Sequence, residues 1–274
     1  MIVEPAPAKI NLALHLRRRR PDGYHDVESI FAFTDFGDRL SGEAADALTL
    51  SLSGPTAAGA DVGADNLVLR AARALAAAAG GRRGARLHLD KHIPVAAGLG
   101  GGSADAAAAL RLLNRLWDLG WPLERLAAVA EPLGADVPAC VYSRTLFGTG
   151  KGEALSPWPH DPAGTPVLLV NPRVAVATGP VFAGWDQVDH GPIDSALPLA
   201  ALRNDMTAAA ITLQPVIADV LAALERGGEA SLVRMSGSGA TCLALYPDVP
   251  ARDRAATALA GFGTGWWVSP THII

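Results

Sequence analysis

Four of the five residues from Gly98 to Gly102 are glycine, and they stand directly before a run that reads as helix, PVAAGLGGGSADAAAALRLLN at 94–114. Upstream, ARLHLDKHIPV (85–95) alternates apolar and polar residues with the period of a strand. Downstream, Ala106, Leu110, Leu113 and Trp117 recur at steps of four, three and four, which marks one face of a helix. A loop that feeds a helix leaves the first N–H groups without intrahelical partners, all pointing the same way out of the positive end of the macrodipole. That is an anion site, and glycine lets a phosphate oxygen approach the backbone because no Cβ stands in the way. Ser103 either caps the helix or offers its hydroxyl to a phosphate or a phosphate-bound magnesium ion. The alternative is a connection whose glycines only permit tight packing.

Two familiar phosphate loops do not fit. The pattern GxxxxGK[ST] needs a lysine after its last glycine, where this chain has Ser103 after Gly102. The dinucleotide pattern GxGxxG can start at Gly98 and Gly100, but its third glycine falls on Ser103, and Asp118 ends a helix instead of a second strand.

A chain of 274 residues suits two domains. LTLSLSG (48–54) reads as a strand, DNLVLRAARALAAAA (65–79) as a helix with Leu67, Ala71, Ala74 and Ala78 on one face, and LERLAAVAEPL (123–133) as a further helix. Around 148–165 the composition turns to Gly and Pro, which places a boundary near residue 155. Beyond it come the strand PVLLVN (166–171) and the helix QPVIADVLAALERGG (214–228), with Pro215 near its start and Gly227 at its end. The turn MSGSGA (235–240), strand TCLALY (241–246), helix ARDRAATALAG (251–261) and strand GWWVS (265–269) follow. This order predicts an α+β half with helices on one face of a mainly antiparallel sheet.

Lys plus Arg total 23 against 27 for Asp plus Glu, so the net charge of -4 gives no general attraction to nucleic acid or anionic lipid. Any anion must be caught locally. The first residues carry no basic leader with a continuous apolar core, and the alanine-rich runs are short and interrupted by Arg73, Asp105 and Arg111, so neither a signal peptide nor a membrane span is expected. Cys140 and Cys242 form no CxxC pattern and read as reduced, buried thiols of a soluble cytoplasmic protein. His88 and His92 lie four apart without a third ligand, so no metal site is expected.

The stretch PVAAGLGGGSADAA (94–107) resembles the nucleotide loop of the GHMP kinases, which bind ATP without a Walker lysine. PAKINLALHLRRRRPDGYHDVESIF (7–31), LGADVPAC (133–140) and RMSGSGATCLALY (234–246) resemble further motifs of the same family, in the expected order. The longer loop form GLGGGSADA and the DGYH segment resemble the branch that phosphorylates an alcohol carrying a cytidine diphosphate group, a step of non-mevalonate isoprenoid precursor synthesis. The resemblance implies a two-domain α+β fold: an N-terminal ATP-binding domain of the ribosomal-protein S5 domain 2 type over 1–155, and a ferredoxin-like C-terminal domain over 156–274. It implies ATP as phosphoryl donor, Mg2+ carried by the nucleotide, no nucleic-acid or membrane partner, and a monomer or homodimer.

It also implies roles for individual residues. Asp136 becomes the catalytic base, one placed carboxylate being enough for a reaction that mostly needs positioning. From the residues alone, an Asp two before Pro138 reads equally as a helix cap. Lys9 would lie beside that carboxylate and steady charge on the transferred group. ATP would be held by Pro94, Val95, Ala96, Ala97, Gly98, Leu99, Gly100, Gly101, Gly102, Ser103 and Ala104, with Asn66 toward the adenine. The acceptor would meet Asn11, on the same strand face as Lys9. Tyr24 would stack on cytosine, His25 would hydrogen-bond it, and Thr178 and Phe182 would form the other wall of that pocket. Gly237, Ser238 and Gly239 would close the site as a second backbone nest, the alternative being a plain turn into a strand. Arg17 to Arg20 read as a solvated hairpin tip or as a steering patch for an anionic substrate, and Asp105, placed in the first turn after the loop, would repel a triphosphate unless it points away. Three rivals remain: a GHMP kinase for another small alcohol such as homoserine or a mevalonate derivative, a non-catalytic nucleotide or sugar sensor on the same fold, and a Rossmann oxidoreductase.

Overall fold

Two long strands open the chain in the computed structural model, which describes residues 1–59, 63–260 and 265–274. β1 (Ile2–Arg19) and β2 (His25–Ala44) pair with each other. Between them is a turn in which the Arg20 N–H donates to Tyr24 O (2.7 Å) and Gly23 adopts φ +87°. From Ala6 to Leu16 every residue of β1 is buried, so this strand lacks the alternation by which a half-exposed strand is recognised.

The described residues form two units. The first comprises Met1–Lys9, Phe36–Val95 and Gly100–Arg144, the second Ile10–Asp35, Ala96–Leu99 and Thr145–Ile274. In the first unit β3 (Leu48–Ser53) runs parallel to β4 (Ala85–Asp90), and β4 runs antiparallel to residues 39–44 of β2. The crossover from β3 to β4 is α1 (Leu67–Ala78), begun by Asn66, whose Oδ1 accepts the Val68 N–H at 2.8 Å. α1 buries Val68, Leu69, Ala71, Ala72, Leu75 and Ala76, and packs on α2 (Gly101–Leu116). A Cβ on Gly42 of β2 would lie 2.8 Å from both Leu112 and Leu87, so α2 sits hard against the sheet. α3 (Leu123–Ala130), a short 3-10 turn and α4 (Val137–Tyr142) complete this unit.

In the second unit residues 29–31 of β2 pair with β5 (Leu146–Thr149), which pairs with β6 (Ala154–Pro157). β7 (Pro166–Asn171), α5 (Thr178–Ala183), α6 (Thr207–Leu213), α7 (Val216–Arg226), β8 (Leu232–Met235), β9 (Cys242–Leu245), α8 (Val249–Ala260) and β10 (Trp267–His272) follow. The last four-stranded sheet has the order β10-β7-β9-β8 and is antiparallel throughout. Leu168, Val170, Cys242 and Ala244, at every second position of β7 and β9, share one core with Ile217, Val220 and Leu224 of α7 and with Ala251, Ala255 and Leu259 of α8. Helices on one face of an antiparallel sheet are what the sequence pattern predicts.

The expected helix at 123–133 divides into α3 and a 3-10 turn, because Pro132 cannot continue the α-helical hydrogen bonding. The expected strand at 85–95 ends at Asp90. Gly261, the last residue of one expected helix, lies outside the described residues. Both cysteines are free and buried, and among the described residues no helix is long and apolar enough to cross a membrane.

Candidate active site

In the first unit α2 starts from Gly100, whose φ of +62° suits glycine and whose position has no side-chain cap. Ser103 is the third residue of the helix, so it is not the cap. A Cβ on Gly100 would stand 3.1 Å from Lys9 Cε and 4.0 Å from Asp136 Oδ2. Lys9 and Asp136, far apart in the sequence, meet at that glycine: Lys9 Nζ is 2.9 Å from Asp136 Oδ2. Asp136 occupies the cap position of α4, yet its side chain makes no capping bond; the carboxylate is turned to Lys9. Lys9 is buried, whereas the Asp136 side chain keeps 35% of its surface open, enough for a reacting group to reach it.

This pair is braced by a residue that sequence reasoning missed as a functional group. Arg111 of α2 donates from Nε to Glu4 Oε1 (2.7 Å), from Nη1 to Cys140 O (2.7 Å) and from Nη2 to Pro5 O (2.8 Å). It therefore ties α2 to α4, which carries Asp136 at its start, and to β1, which carries Lys9. Asn66 lies at the start of α1, where Leu67 Cδ1 would be 3.2 Å from a Cβ on Gly102; part of its side chain is already used in capping. Asp105 is the fifth residue of α2, not a first-turn residue, and is buried against Lys91 at 2.7 Å.

In the second unit residues Ala96–Leu99 lie on the turn after β8. Ser236 Oγ donates to Gly98 O (2.9 Å), and the Thr241 N–H donates to Ala97 O (3.1 Å). Only glycine fits at 98, where φ is +76° and a Cβ would fall 2.5 Å from Ser236 O and 2.7 Å from Gly239 O. Asn11 donates its backbone N–H to Ser236 Oγ (3.2 Å) and its Nδ2 to Ser29 Oγ (2.7 Å). Gly237 and Gly239 take positive φ values, and between them Ser238 Oγ is 3.0 Å from Thr178 Oγ1 at the start of α5. The turn is held from behind by Asn204, which donates to Met235 O and Gly237 O, both at 2.8 Å. Arg234 adds bonds to Leu12 O and Leu202 O.

One turn along α5 from Thr178, Phe182 stacks on His25, with ring centres 4.8 Å apart and planes at 20°; Trp185, which the sequence did not single out, meets His25 edge-on at 5.7 Å. Burial, and then Arg19, lowers the His25 pKa, so at neutral pH the ring is uncharged and offers one donor and one acceptor nitrogen. Tyr24 is exposed, with Lys151 Nζ 4.8 Å from its ring centre. The arginine run is largely neutralised: Arg17 faces Asp189 at 3.1 Å and Glu28 at 3.7 Å, and Arg18 and Arg20 both bind Asp26. Among the described residues no group of three or more His, Cys, Asp or Glu is placed to hold a metal ion.

Residues 66–144 match the GHMP kinases N terminal domain and residues 189–264 the GHMP kinases C terminal domain. A 4-diphosphocytidyl-2-C-methyl-D-erythritol kinase of Rhizorhabdus wittichii is 53% identical over 96% of this chain and 92% of its own length. One of Cereibacter sphaeroides is 47% identical over 98% of both chains. The crystal structure of a 4-(cytidine 5'-diphospho)-2C-methyl-D-erythritol kinase superposes with a TM-score of 0.81 at 35% identity, over 99% of each chain. A homoserine kinase from Cytophaga hutchinsonii, at 18% identity and a TM-score of 0.75 over 99% of this chain and 94% of its own, shares the fold.

Proposed function

Because the chain belongs to the 4-diphosphocytidyl-2-C-methyl-D-erythritol kinase family of the GHMP kinases, we propose that it transfers the γ-phosphoryl group of ATP to the 2-hydroxyl of 4-diphosphocytidyl-2-C-methyl-D-erythritol. The products are the 2-phosphate and ADP. The observation that carries this reading is the Lys9–Asp136 pair at 2.9 Å beside Gly100, where α2 begins. A nucleophile and a phosphoryl group brought to that point meet a carboxylate, an ammonium and a helix N-terminus together.

In this mechanism Asp136 accepts the proton of the 2-hydroxyl as its oxygen bonds to the γ-phosphorus and the bond to the departing ADP oxygen breaks. Lys9 and the N–H groups of Gly101, Gly102 and Ser103 stabilise the negative charge on the transferred group. Magnesium carried by the nucleotide phosphates would neutralise part of their charge. Residues 94–104 wrap the triphosphate and Asn66 borders the adenine. Asn11 and the turn Gly237, Ser238 and Gly239 hold the acceptor. Tyr24, His25, Thr178 and Phe182 receive the cytidine, a neutral His25 being able to both donate to and accept from a base. ATP-binding work falls to residues 1–155 in this scheme, and the protein acts in the cytoplasm as a monomer or homodimer.

The test is ADP release from Mg·ATP with 4-diphosphocytidyl-2-C-methyl-D-erythritol, homoserine or mevalonate as acceptor. Turnover on the cytidine compound alone supports the substrate. ATP binding without turnover on any of the three contradicts the kinase reading and favours a sensor.

A further inference from the structure

A buried charge cluster in the first unit takes no part in the reaction above. In the strand register of β4, Leu87 and Leu89 point inward, and Lys91, two positions on, continues on that buried side. Its ammonium donates to Asp38 Oδ2 at 2.5 Å and to Asp105 Oδ2 at 2.7 Å. Asp38 Oδ1 in turn accepts the backbone N–H groups of His92 (2.5 Å) and Ile93 (2.8 Å), the residues just before the glycine loop. Asp105 lies on the helix just after it. A Cβ on Gly101 would stand 3.5 Å from Lys91 Nζ and 3.1 Å from Ile93 Cγ2. The cluster thus joins both flanks of the loop to β2.

Its charges do not balance. Two carboxylates share one ammonium, all three side chains being at most 6% exposed. Among the described residues no other cation is ion-paired with them: Arg39, next to Asp38 on β2, is exposed, α1 faces α2 with Val68, Leu69, Ala71, Ala72 and Leu75 while Arg70 and Arg73 are exposed, and α3 keeps Glu124 and Arg125 exposed. α4 brings the Cys140 thiol, pushed up to about 12 by burial, and Asp136, which is paired with Lys9. Asp105 Oδ1 is buried and has no hydrogen-bond partner among the described residues. A buried carboxylate with one oxygen unpaired is a poor holder of the excess charge. Burial, and also Asp38, pushes the Asp105 carboxyl up, against the opposing pull of Lys91.

We propose that Asp105 is a positioning residue of the nucleotide loop that binds a proton when nucleotide binds. The phosphates bring negative charge to the start of α2, in front of a cluster that already holds one negative charge too many. A solvent proton then joins the Asp105 carboxylate, forming the neutral acid, while Lys91 and Asp38 keep hold of the loop's flanks. The inference rests on residues 94–104 being the nucleotide loop.

The experiment is calorimetric titration of the full chain with Mg·ADP at pH 8 in two buffers of different ionisation enthalpy, together with Kd between pH 7 and pH 9. Wild type takes up as much as one proton per nucleotide, and its affinity weakens with rising pH by up to about tenfold per unit. Asp105→Asn takes up none and its affinity is flat with pH. Should that variant not fold, Asp38→Asn, which leaves one carboxylate to one ammonium, also abolishes the uptake. Equal uptake in wild type and variant, or binding by wild type with no uptake, overturns the proposal alone. Failure of wild type to bind Mg·ADP overturns the nucleotide-loop reading, and the proposal with it.

Discussion

Lys9 Nζ stands 2.9 Å from Asp136 Oδ2 at the glycine that opens α2, and the Asp136 carboxylate faces the ammonium instead of capping its own helix. A cap would have left the carboxylate bound to backbone N–H groups. Turned toward Lys9 and one-third exposed, it can take a proton from an incoming hydroxyl.

The brace behind this pair has a stability cost when removed. Arg111→Met leaves the buried Glu4 carboxylate with Arg115 alone and strips a donor from Cys140 O and Pro5 O. Urea unfolding is expected to show a loss of about 3 kcal/mol. Unchanged stability would mean that the three bonds are not formed together in solution.

Gly98 and Gly120 separate strain from collision. Both have positive φ, but an added Cβ meets two carbonyl oxygens at Gly98 and nothing within 4 Å at Gly120. Gly120→Ala is expected to lose about 1 kcal/mol from backbone strain alone, and Gly98→Ala clearly more, about 3 kcal/mol. Equal losses in denaturant melts would contradict the packing of Ala96–Leu99 on the turn after β8.

The proposed cytidine pocket predicts a selective defect. Phe182→Ala removes the ring that stacks on His25, so KM for the cytidine substrate should rise about tenfold while KM for ATP stays within about twofold. A matching rise in both constants would remove Phe182 from the acceptor site.

Asp35 gives the pH dependence of stability a definite sign. Burial would raise its carboxyl, but hydrogen bonds from Thr271 Oγ1, the His272 N–H (2.9 Å) and the His272 ring (3.2 Å) outweigh it and hold the group below the usual carboxylate value. A depressed folded-state pKa contributes stability that is complete above the unfolded value, near 4, and fades as the pH falls through the folded one. Asp35→Asn should therefore melt below wild type at pH 7, with the gap closing between about pH 4 and pH 2. A gap that stays constant with pH would show that the Asp35 charge does not contribute.

Helical periodicity is legible in α1 and α7, each with one buried and one exposed side, although α1 buries Val68, Leu69, Ala72 and Leu75 with Ala71 instead of the expected face of Leu67, Ala71, Ala74 and Ala78. α2, buried from Ala104 to Leu110, is legible from the steps of its apolar residues, and β7 and β9, buried at every residue, only as short apolar runs. β1 is not legible as a long strand, since its residues from Ala6 to Leu16 are all buried and Pro7 and Lys9 interrupt them. Lys9 and Asp136 were named from motif likeness; their contact depends on a fold that brings together positions far apart in sequence. Lys91 carried a local signal that went unused, a charge on the apolar side of a strand, which demands a buried partner. Its partners Asp38 and Asp105 could not be found by spacing, because they come from another strand and from the helix beyond the loop. Asn204 and Arg234 act through backbone carbonyls, which no residue pattern reveals.

The central claim is best tested by single-turnover phosphoryl transfer from Mg·ATP to 4-diphosphocytidyl-2-C-methyl-D-erythritol, measured for wild type and Asp136→Asn with nucleotide affinity determined alongside. The expected result is a rate lower by about a thousandfold in the variant, with Kd for nucleotide within about twofold of wild type. A variant that transfers the phosphoryl group at the wild-type rate would contradict the assignment of Asp136 as the base.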